Sequence, residues 1–151
     1  LSDDYHFITI GFGEMDLNKM AIENKVENKF TILKKMNKYD IRSFLNMCDI
    51  FCLPSKFTNQ EGSEGIPVSL MEAMSMGLPV ITTNDGSITE LVNQYIFTQS
   101  SPEDLARLLK SVGSKILKNK IKIICNENIK SVKKLHSIEN IKTMNQFFQK
   151  C

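Results

Sequence analysis

The apolar residues of the chain form short β-rich runs that alternate with segments of helical periodicity. Runs typical of strands cover residues 7–10, 29–33, 49–53, 79–82 and 95–98. The run at 49–53 is almost continuously apolar, which predicts a strand covered on both faces. Strands that alternate with helices predict an α/β fold, a Rossmann-like doubly wound parallel sheet. We expect the first four strands to be parallel members of one sheet.

Local signals mark where the helices between these strands begin and end. Each predicted helix begins at a residue that favours an N-terminus: Asp16, Asp40, Pro67, Ser87 and Ser101. The first is expected to run to about residue 26. Glu90, three residues after Ser87, completes a capping-box pattern, and Gly77 is the predicted stop of the Pro67 helix. After the helix that begins at Ser101, the remainder to Cys151 is predicted to form two or three lysine-rich amphipathic helices.

Composition narrows the class of protein. A length of 151 residues fits one domain, residues 1–151, and 42% hydrophobic with 24% charged residues is typical of a soluble globular protein. The chain opens at Leu1, close to a predicted strand, so we expect it to be part of a longer protein. Its four cysteines form no CxxC pair and only two histidines are present, so no metal site or disulfide framework is predicted. Cys52 is interpreted as a small buried apolar residue in a reduced, cytoplasmic setting.

The net charge of +2 conceals an uneven distribution. Residues 1–100 carry 8 Lys/Arg and 13 Asp/Glu, a net charge of −5, whereas residues 101–151 carry 11 and 4, a net charge of +7. No stacking aromatics or recognition motif accompany the basic segment, so nucleic acid is not a predicted partner. The basic segment is interpreted as a solvated helical surface, and the alternative is peripheral contact with an anionic membrane surface.

The segment 63–74 carries the candidate chemistry. It leads from the carboxyl end of a predicted strand into a helix, the region where open α/β sheets bind ligands. Because Pro67 has no N–H, the free donors for an anion would be those of Val68 and Ser69. Gly65 leaves room for a ligand beside the backbone. Glu72 is the sole charged residue between Pro67 and Met76, and a carboxylate can accept hydrogen bonds from both hydroxyls of a sugar diol.

An ordinary structural explanation exists for the same residues. Glu64 would then be a charged loop residue. Glu72 would belong to the solvated stripe of an amphipathic helix, beside Ser69 and Met76. On spacing alone, this ordinary structural explanation is the favoured one.

Four segments together resemble a known family: 49–55, 64–74, 77–83 and 90–92. Glu64 and Glu72, with seven residues between them, match the E-x7-E motif of the retaining glycosyltransferases of family 4, which have the two-Rossmann-domain GT-B fold. The wording Glu-Gly-Ile-Pro at 64–67 is most similar to bacterial enzymes of capsule, lipopolysaccharide and exopolysaccharide synthesis. The resemblance implies the C-terminal, nucleotide-sugar-binding domain of a hexosyltransferase.

The resemblance also implies roles for individual residues. Glu64 would be catalytic, binding donor-sugar hydroxyls near the reacting carbon, and Glu72 would bind the ribose. The backbone around four further residues would hold the sugar and diphosphate: Ile66, Pro67, Val68 and Ser69. Met36, in the turn after the second predicted strand, would contact the base. No metal and no cofactor are expected, because the nucleotide diphosphate sugar is itself the donor substrate.

Two parts of the family pattern are expected to be missing. The strand at Phe7 is similar to the family's second, so the first strand and helix, with an Arg and a Lys that clamp the diphosphate, would be absent. The N-terminal acceptor domain would be absent too. The fragment alone would therefore bind weakly and catalyse nothing. Within the whole enzyme, the expected partners are a nucleotide sugar and a glycan or lipid-linked acceptor at the inner membrane face.

Two other functions are compatible with the sequence. One is a sugar-nucleotide epimerase of the same fold, whose catalytic histidine and acidic residues would lie in an N-terminal half. The other is a non-catalytic, truncated module that binds a nucleotide or a partner. The sequence upstream of Leu1 would discriminate among the three.

Overall fold

The strands and helices alternate along the chain in the computed structural model, which describes residues 5–11, 15–55, 66–84, 87–92, 95–97, 101–117 and 122–136. The strands are β1 (Phe7–Ile10), β2 (Phe30–Leu33), β3 (Phe51–Leu53), β4 (Val80–Thr83) and β5 (Ile96–Phe97). The α-helices are α1 (Leu17–Glu23), α2 (Lys38–Met47), α3 (Val68–Ser75), α4 (Ile88–Leu91), α5 (Pro102–Leu117) and α6 (Lys122–His136). A 3-10 turn (Glu27–Lys29) precedes β2. The α/β class is as predicted.

The described strands pair in parallel and form two sheets, whereas we expected one. β1 pairs with β2, with Phe7 opposite Phe30, and the order β3–β4–β5 forms the other sheet, with Phe51 opposite Val80. Each sheet pairs strands that follow one another along the chain, as sequential strands usually do. No pair joins β2 to β3 among the described strands, so the first four strands do not form the single described sheet that we expected.

The chain divides into two compact units, Leu1–Phe44 and Leu45–Cys151. In the first unit, α1 contacts β2, and Ala21 is the buried residue of its described part. The Phe7 and Phe30 rings stack with their centroids 5.0 Å apart, which covers one end of the β1–β2 pair. That the whole chain is a single donor-binding domain stays a prediction.

The core of the second unit lies around β4. All four β4 residues are buried, whereas the three β3 residues are half-buried. This corrects the expectation that residues 49–53 form the strand covered on both faces. β4 has a strand on each side and contacts both α3 and α5, so it loses more surface to neighbours than β3 does. The core cluster is Leu70, Ala73, Met74, Leu78, Val80, Ile88, Leu91 and Val92.

The first helix begins where it was predicted and ends earlier. The Asp16 carboxylate accepts a hydrogen bond from the Lys19 N–H at 3.1 Å, which confirms it as the N-cap of α1. The helix stops at Glu23, three residues before the predicted end. Lys25 has a φ of 57°, and the Val26 N–H donates back to the Ala21 carbonyl at 2.9 Å. This is a Schellman C-terminus with lysine in the position that glycine usually fills.

Two other predicted helix starts needed correction, and a third was confirmed in position but lacks the predicted capping hydrogen bond. α2 begins at Lys38 rather than Asp40, because the Asn37 side chain accepts the N–H groups of Tyr39 and Asp40. Pro67 is the N-cap of α3 and not its first residue, since its ψ of 133° is extended. Ser87 is the N-cap of α4, but its side chain makes no capping hydrogen bond.

The last two described helices agree with the predictions, α5 in its start and α6 as an amphipathic helix of the basic segment. The Asp104 N–H donates to the Ser101 hydroxyl at 3.3 Å, which confirms the start of α5, and Pro102 is its first residue. α6 packs against α3, and its Ile129 and Asn128 meet the turn after that helix, at Gly77 and Leu78. Its exposed lysines are Lys122, Lys130, Lys133 and Lys134. They form the solvated surface expected of the basic segment, and contact with a membrane stays a prediction.

The described cysteines, Cys48, Cys52 and Cys125, are free thiols. Cys52 is half-buried on β3, and burial raises the pKa of its thiol to about 11. The thiol therefore stays protonated near neutral pH and serves as a small packing residue, as the sequence indicated.

Candidate functional site

The candidate site centres on the N-terminal end of α3. The connection from β3 reaches this helix at Ile66 and Pro67, which are both half-buried. The structure brings the predicted residues from Ile66 to Glu72 together, because they occupy the helix start and its first two turns. Glu64 and Gly65 lie outside the described residues, so their predicted roles stay predictions.

The backbone at the start of α3 presents two donors ahead of the first intrahelical hydrogen bonds. The Pro67 carbonyl accepts from the N–H groups of Leu70 at 3.1 Å and Met71 at 3.3 Å. The N–H groups of Val68 and Ser69 therefore precede the helical pattern. The N-cap residue, Pro67, makes no side-chain hydrogen bond to them. Val68 is 65% exposed and Ser69 is exposed as well. Exposed donors at the positive end of a helix dipole favour an anionic group such as a phosphate.

The two faces of α3 are sharply different. Leu70, Ala73 and Met74 are at most 1% exposed and belong to the core. The exposed side chains are Val68, Ser69, Glu72 and Ser75. Glu72 thus lies on the same exposed face as the side chains of Val68 and Ser69, one turn further along the helix. This placement is required for binding a diol beside a diphosphate, and it is also what a solvated helical stripe would show.

The C-terminal end of α3 is followed by a glycine turn that contacts α6. Gly77 has a φ of +79°, and the Leu78 N–H donates to the Ala73 carbonyl at 3.1 Å, which confirms Gly77 as the predicted helix stop. A Cβ on Gly77 would lie 3.3 Å from Cδ1 of Ile129 in α6. Asn128 of α6 donates from Nδ2 to the Leu78 carbonyl at 2.8 Å. The turn after α3 is therefore held by α6, a contact that sequence reasoning did not find.

Met36 lies in the first unit, in the turn between β2 and α2, and is half-buried. The turn follows the carboxyl end of a parallel strand, the position that the resemblance implied for a contact with the base. Its role in binding a base stays a prediction.

Two buried threonines at the end of β4 also escaped sequence reasoning. Thr82 is 0% exposed and Thr83 1% exposed, and their hydroxyls donate to the carbonyls of Leu53 and Ser55. A pair of threonines after an apolar run was the available signal. It was uninformative, because β-branched residues are common in strands of every kind.

The described part of the chain has neither a cluster of metal ligands nor a helix that could span a membrane. No group of three or more His, Cys, Asp or Glu side chains there is arranged to hold a metal ion. None of the helices within the described ranges is long and apolar enough to cross a membrane.

Comparison with known proteins identifies the family. Residues 1–140 match the family model described as glycosyl transferases group 1. The chain belongs to this family of glycosyltransferases. The amylovoran biosynthesis glycosyltransferase AmsK of Erwinia amylovora is 33% identical over 110 residues, which cover 72% of this chain and 27% of the relative. This chain therefore corresponds to about a quarter of that glycosyltransferase.

Solved structures show the fold of this glycosyltransferase domain. HepE of Anabaena in complex with UDP superposes with a TM-score of 0.85 at 20% identity, over 99% of this chain and 42% of that one. The same protein in complex with UDP-glucose superposes with a TM-score of 0.80 at 20% identity, over the same shares of the two chains. The α/β, Rossmann-like GT-B fold predicted from the sequence is confirmed, with the chain forming part of one such domain.

Proposed function

We propose that this chain is the donor-binding domain of a retaining glycosyltransferase of family 4. The whole enzyme would transfer a hexose from a nucleotide diphosphate sugar to a glycan or lipid-linked acceptor during surface polysaccharide synthesis. In that reaction the bond from the anomeric carbon to the diphosphate oxygen breaks. The acceptor oxygen then bonds to that carbon and loses its proton, and the nucleoside diphosphate departs. We place the enzyme in the cytoplasm, at the inner membrane face.

The observation that carries the proposal is the exposed start of α3 in a member of this family. The N–H groups of Val68 and Ser69 precede the first helical hydrogen bonds, have no partner among the described residues, and would hold a diphosphate. Glu72 follows one turn later on the same exposed face. A ribose is bonded directly to its diphosphate. A carboxylate one helical turn from the diphosphate is therefore well placed to accept hydrogen bonds from both ribose hydroxyls.

Similar proteins support the choice of ligand. The solved structures of HepE, which share this fold, contain UDP and UDP-glucose. The relative from Erwinia amylovora is named for the biosynthesis of amylovoran. The HepE structures agree with a nucleotide sugar as the donor, and the Erwinia relative agrees with a polysaccharide pathway as the setting.

Glu64 has the catalytic role in this proposal, beside the donor sugar. The sugar would extend from the diphosphate toward the connection between β3 and α3, which contains Glu64 and Gly65. Nucleotide binding and sugar binding would therefore depend on different carboxylates.

Calorimetry on the full-length protein tests the role of Glu72. Glu72→Gln keeps the side-chain size but loses the charge, and a hydrogen bond to a charged group contributes roughly 1.5–3 kcal/mol. We expect about 10- to 100-fold weaker binding of the nucleoside diphosphate. Glu72 is exposed on α3, so the folded state should be unaffected.

Two further variants make the test specific. Glu103→Gln removes an exposed carboxylate from the first turn of α5 and should leave nucleotide affinity unchanged. Glu64→Gln should spare the nucleoside diphosphate and weaken the nucleotide sugar or its turnover. If Glu72→Gln binds the nucleotide as the parent does, Glu72 belongs to a solvated helical stripe and the assignment is wrong.

A further inference from the structure

Helix α6 has one face toward the core of the second unit and one face toward solvent. Its contacts settle this orientation, because Asn128 donates to the Leu78 carbonyl and Ile129 lies against Gly77. Val132, one turn further, packs against the core cluster. The remaining residues form the exposed face: Lys122, Ile123, Asn126, Glu127, Lys130, Lys133, Lys134 and Leu135. This exposed face therefore points away from α3.

The exposed face of α6 concentrates positive charge. It carries four lysines and one acidic residue, Glu127, which gives a net charge of +3. The other helices that the structure describes carry net charges between −1 and +1. An anionic lipid surface attracts a basic face by about 5-fold in affinity for each lysine close to the headgroups.

Two apolar side chains lie within the same basic face. Ile123 is 70% exposed and Leu135 is 43% exposed. The apolar side of α6 is occupied by the core, so the helix would stay at the headgroups and not bury its length in a bilayer. Lysines beside an exposed isoleucine suit the boundary between headgroups and acyl chains. Nucleic acid fits this face less well, because none of its side chains is aromatic.

The position of α6 is compatible with a donor that arrives from water. α6 meets the turn after the C-terminal end of α3, whereas the candidate donor site is at the N-terminal end. The eight residues of α3 separate these ends by about 12 Å. A bilayer on the outer face of α6 would therefore leave the start of α3 accessible to a nucleotide sugar.

We propose that the exposed face of α6 is a docking surface for an anionic lipid bilayer. The inference rests on the proposed function, which places the enzyme at the inner membrane face, and it names the surface that faces the lipid. The four lysines contact anionic headgroups, and Ile123 enters the interface beside them. The contact weakens as salt rises, because exposed charges more than about 10 Å apart are screened at 0.1 M ionic strength.

Vesicle co-sedimentation of the full-length protein tests this surface. We expect salt-sensitive binding to vesicles that contain phosphatidylglycerol, and little binding to vesicles of phosphatidylcholine alone. Lys130→Gln with Lys133→Gln should weaken binding to the anionic vesicles by about 30-fold. The matched control, Lys19→Gln with Lys25→Gln, removes the same charge from exposed positions of the first unit and should change binding little.

Tryptophan fluorescence reports which residue meets the lipid. The 151-residue chain contains no tryptophan, so Ile123→Trp adds a reporter whose emission is the difference from the parent spectrum. This emission should shift to shorter wavelengths when anionic vesicles are added. Ile22→Trp, at a residue 61% exposed on α1, is the control and should show no shift.

Three results would overturn the docking surface: equal losses in the two double-lysine variants, a shift with Ile22→Trp and none with Ile123→Trp, or tighter binding of a DNA duplex than of anionic vesicles at the same salt. Calorimetry separates this inference from the proposed function, because the Lys130→Gln with Lys133→Gln variant should bind a nucleotide sugar as the parent does. A parent that binds nucleotide sugar but no anionic vesicles would overturn the docking surface alone. A parent that binds the vesicles but no nucleotide sugar would overturn the proposed function alone.

Discussion

Two helices of this protein end in the same way with different residues, and this contrast yields a quantitative prediction. Both α1 and α3 close with a residue at positive φ, Lys25 at 57° and Gly77 at +79°. The left-handed conformation costs an L-residue roughly 1–2 kcal/mol, whereas glycine adopts it freely. Exchanging residue types at the two positions should therefore change stability in opposite directions.

The expected loss of stability in Gly77→Ala has two causes, the left-handed backbone conformation and the closeness of Ile129. Gly77→Ala introduces the left-handed penalty, and its Cβ would lie 3.3 Å from Cδ1 of Ile129, which must move by a few tenths of an ångström. Alanine restricts the unfolded chain, which returns about 0.4–1 kcal/mol. We expect Gly77→Ala to lower the free energy of unfolding by about 1 kcal/mol, or the melting temperature by about 2–4 °C.

At Lys25 the substitution by glycine should raise the free energy of unfolding. Lys25 is exposed, so its side chain contributes little, and Lys25→Gly removes the strain of about 1–2 kcal/mol. The extra freedom of glycine in the unfolded state costs about 0.5–1 kcal/mol, which leaves a net gain of about 0.5–1 kcal/mol. Lys25→Ala keeps the strain and removes only the side chain, so it should stay within about 0.5 kcal/mol of the parent.

Urea unfolding followed by circular dichroism measures these differences, provided that the slope with denaturant is unchanged among the variants. The two positions belong to different compact units, so separate transitions would each respond to one substitution only. A Gly77→Ala variant as stable as the parent, or a Lys25→Gly variant less stable than Lys25→Ala, would refute the reasoning.

Two further predictions concern contacts in the second unit. Asn128→Asp replaces the amide that donates to the Leu78 carbonyl, so we expect thermal unfolding to show a loss of about 1–3 kcal/mol in the free energy of unfolding. Asn126→Asp, on the exposed face of α6, is the control and should change that free energy little. Equal losses in the two variants would contradict this. Tyr95→Phe removes the acceptor of the 2.9 Å hydrogen bond from Lys115 Nζ and should cost about 0.5–1.5 kcal/mol. In a Lys115→Met background that cost should vanish, and an undiminished cost would show that the pair is not coupled.

The features that the sequence alone predicted correctly depend on interactions between residues that are close together in the chain. The Asp16 and Ser101 caps and the Gly77 stop each depend on groups within five residues along the chain. The alternation of strands and helices, and hence the α/β class, follows from periodicity in the same local way. The candidate site at the start of α3 was predictable for a related reason, because a proline-led helix start after a strand is visible in the sequence.

Tertiary structure decided whatever depends on residues distant in sequence. β4 is the buried strand rather than β3 because β4 has a strand on each side and helices against it, which its own residues do not reveal. Tyr95 adopts a positive φ of 54° although it is not glycine, and its carbonyl accepts the Thr82 N–H at 3.2 Å, a contact between two strands. The contact of Asn128 with Leu78 spans 50 positions, and that of Thr83 with Ser55 spans 28. A side chain's own type determines which hydrogen bonds it can make, but only the folded chain determines which partner lies within reach.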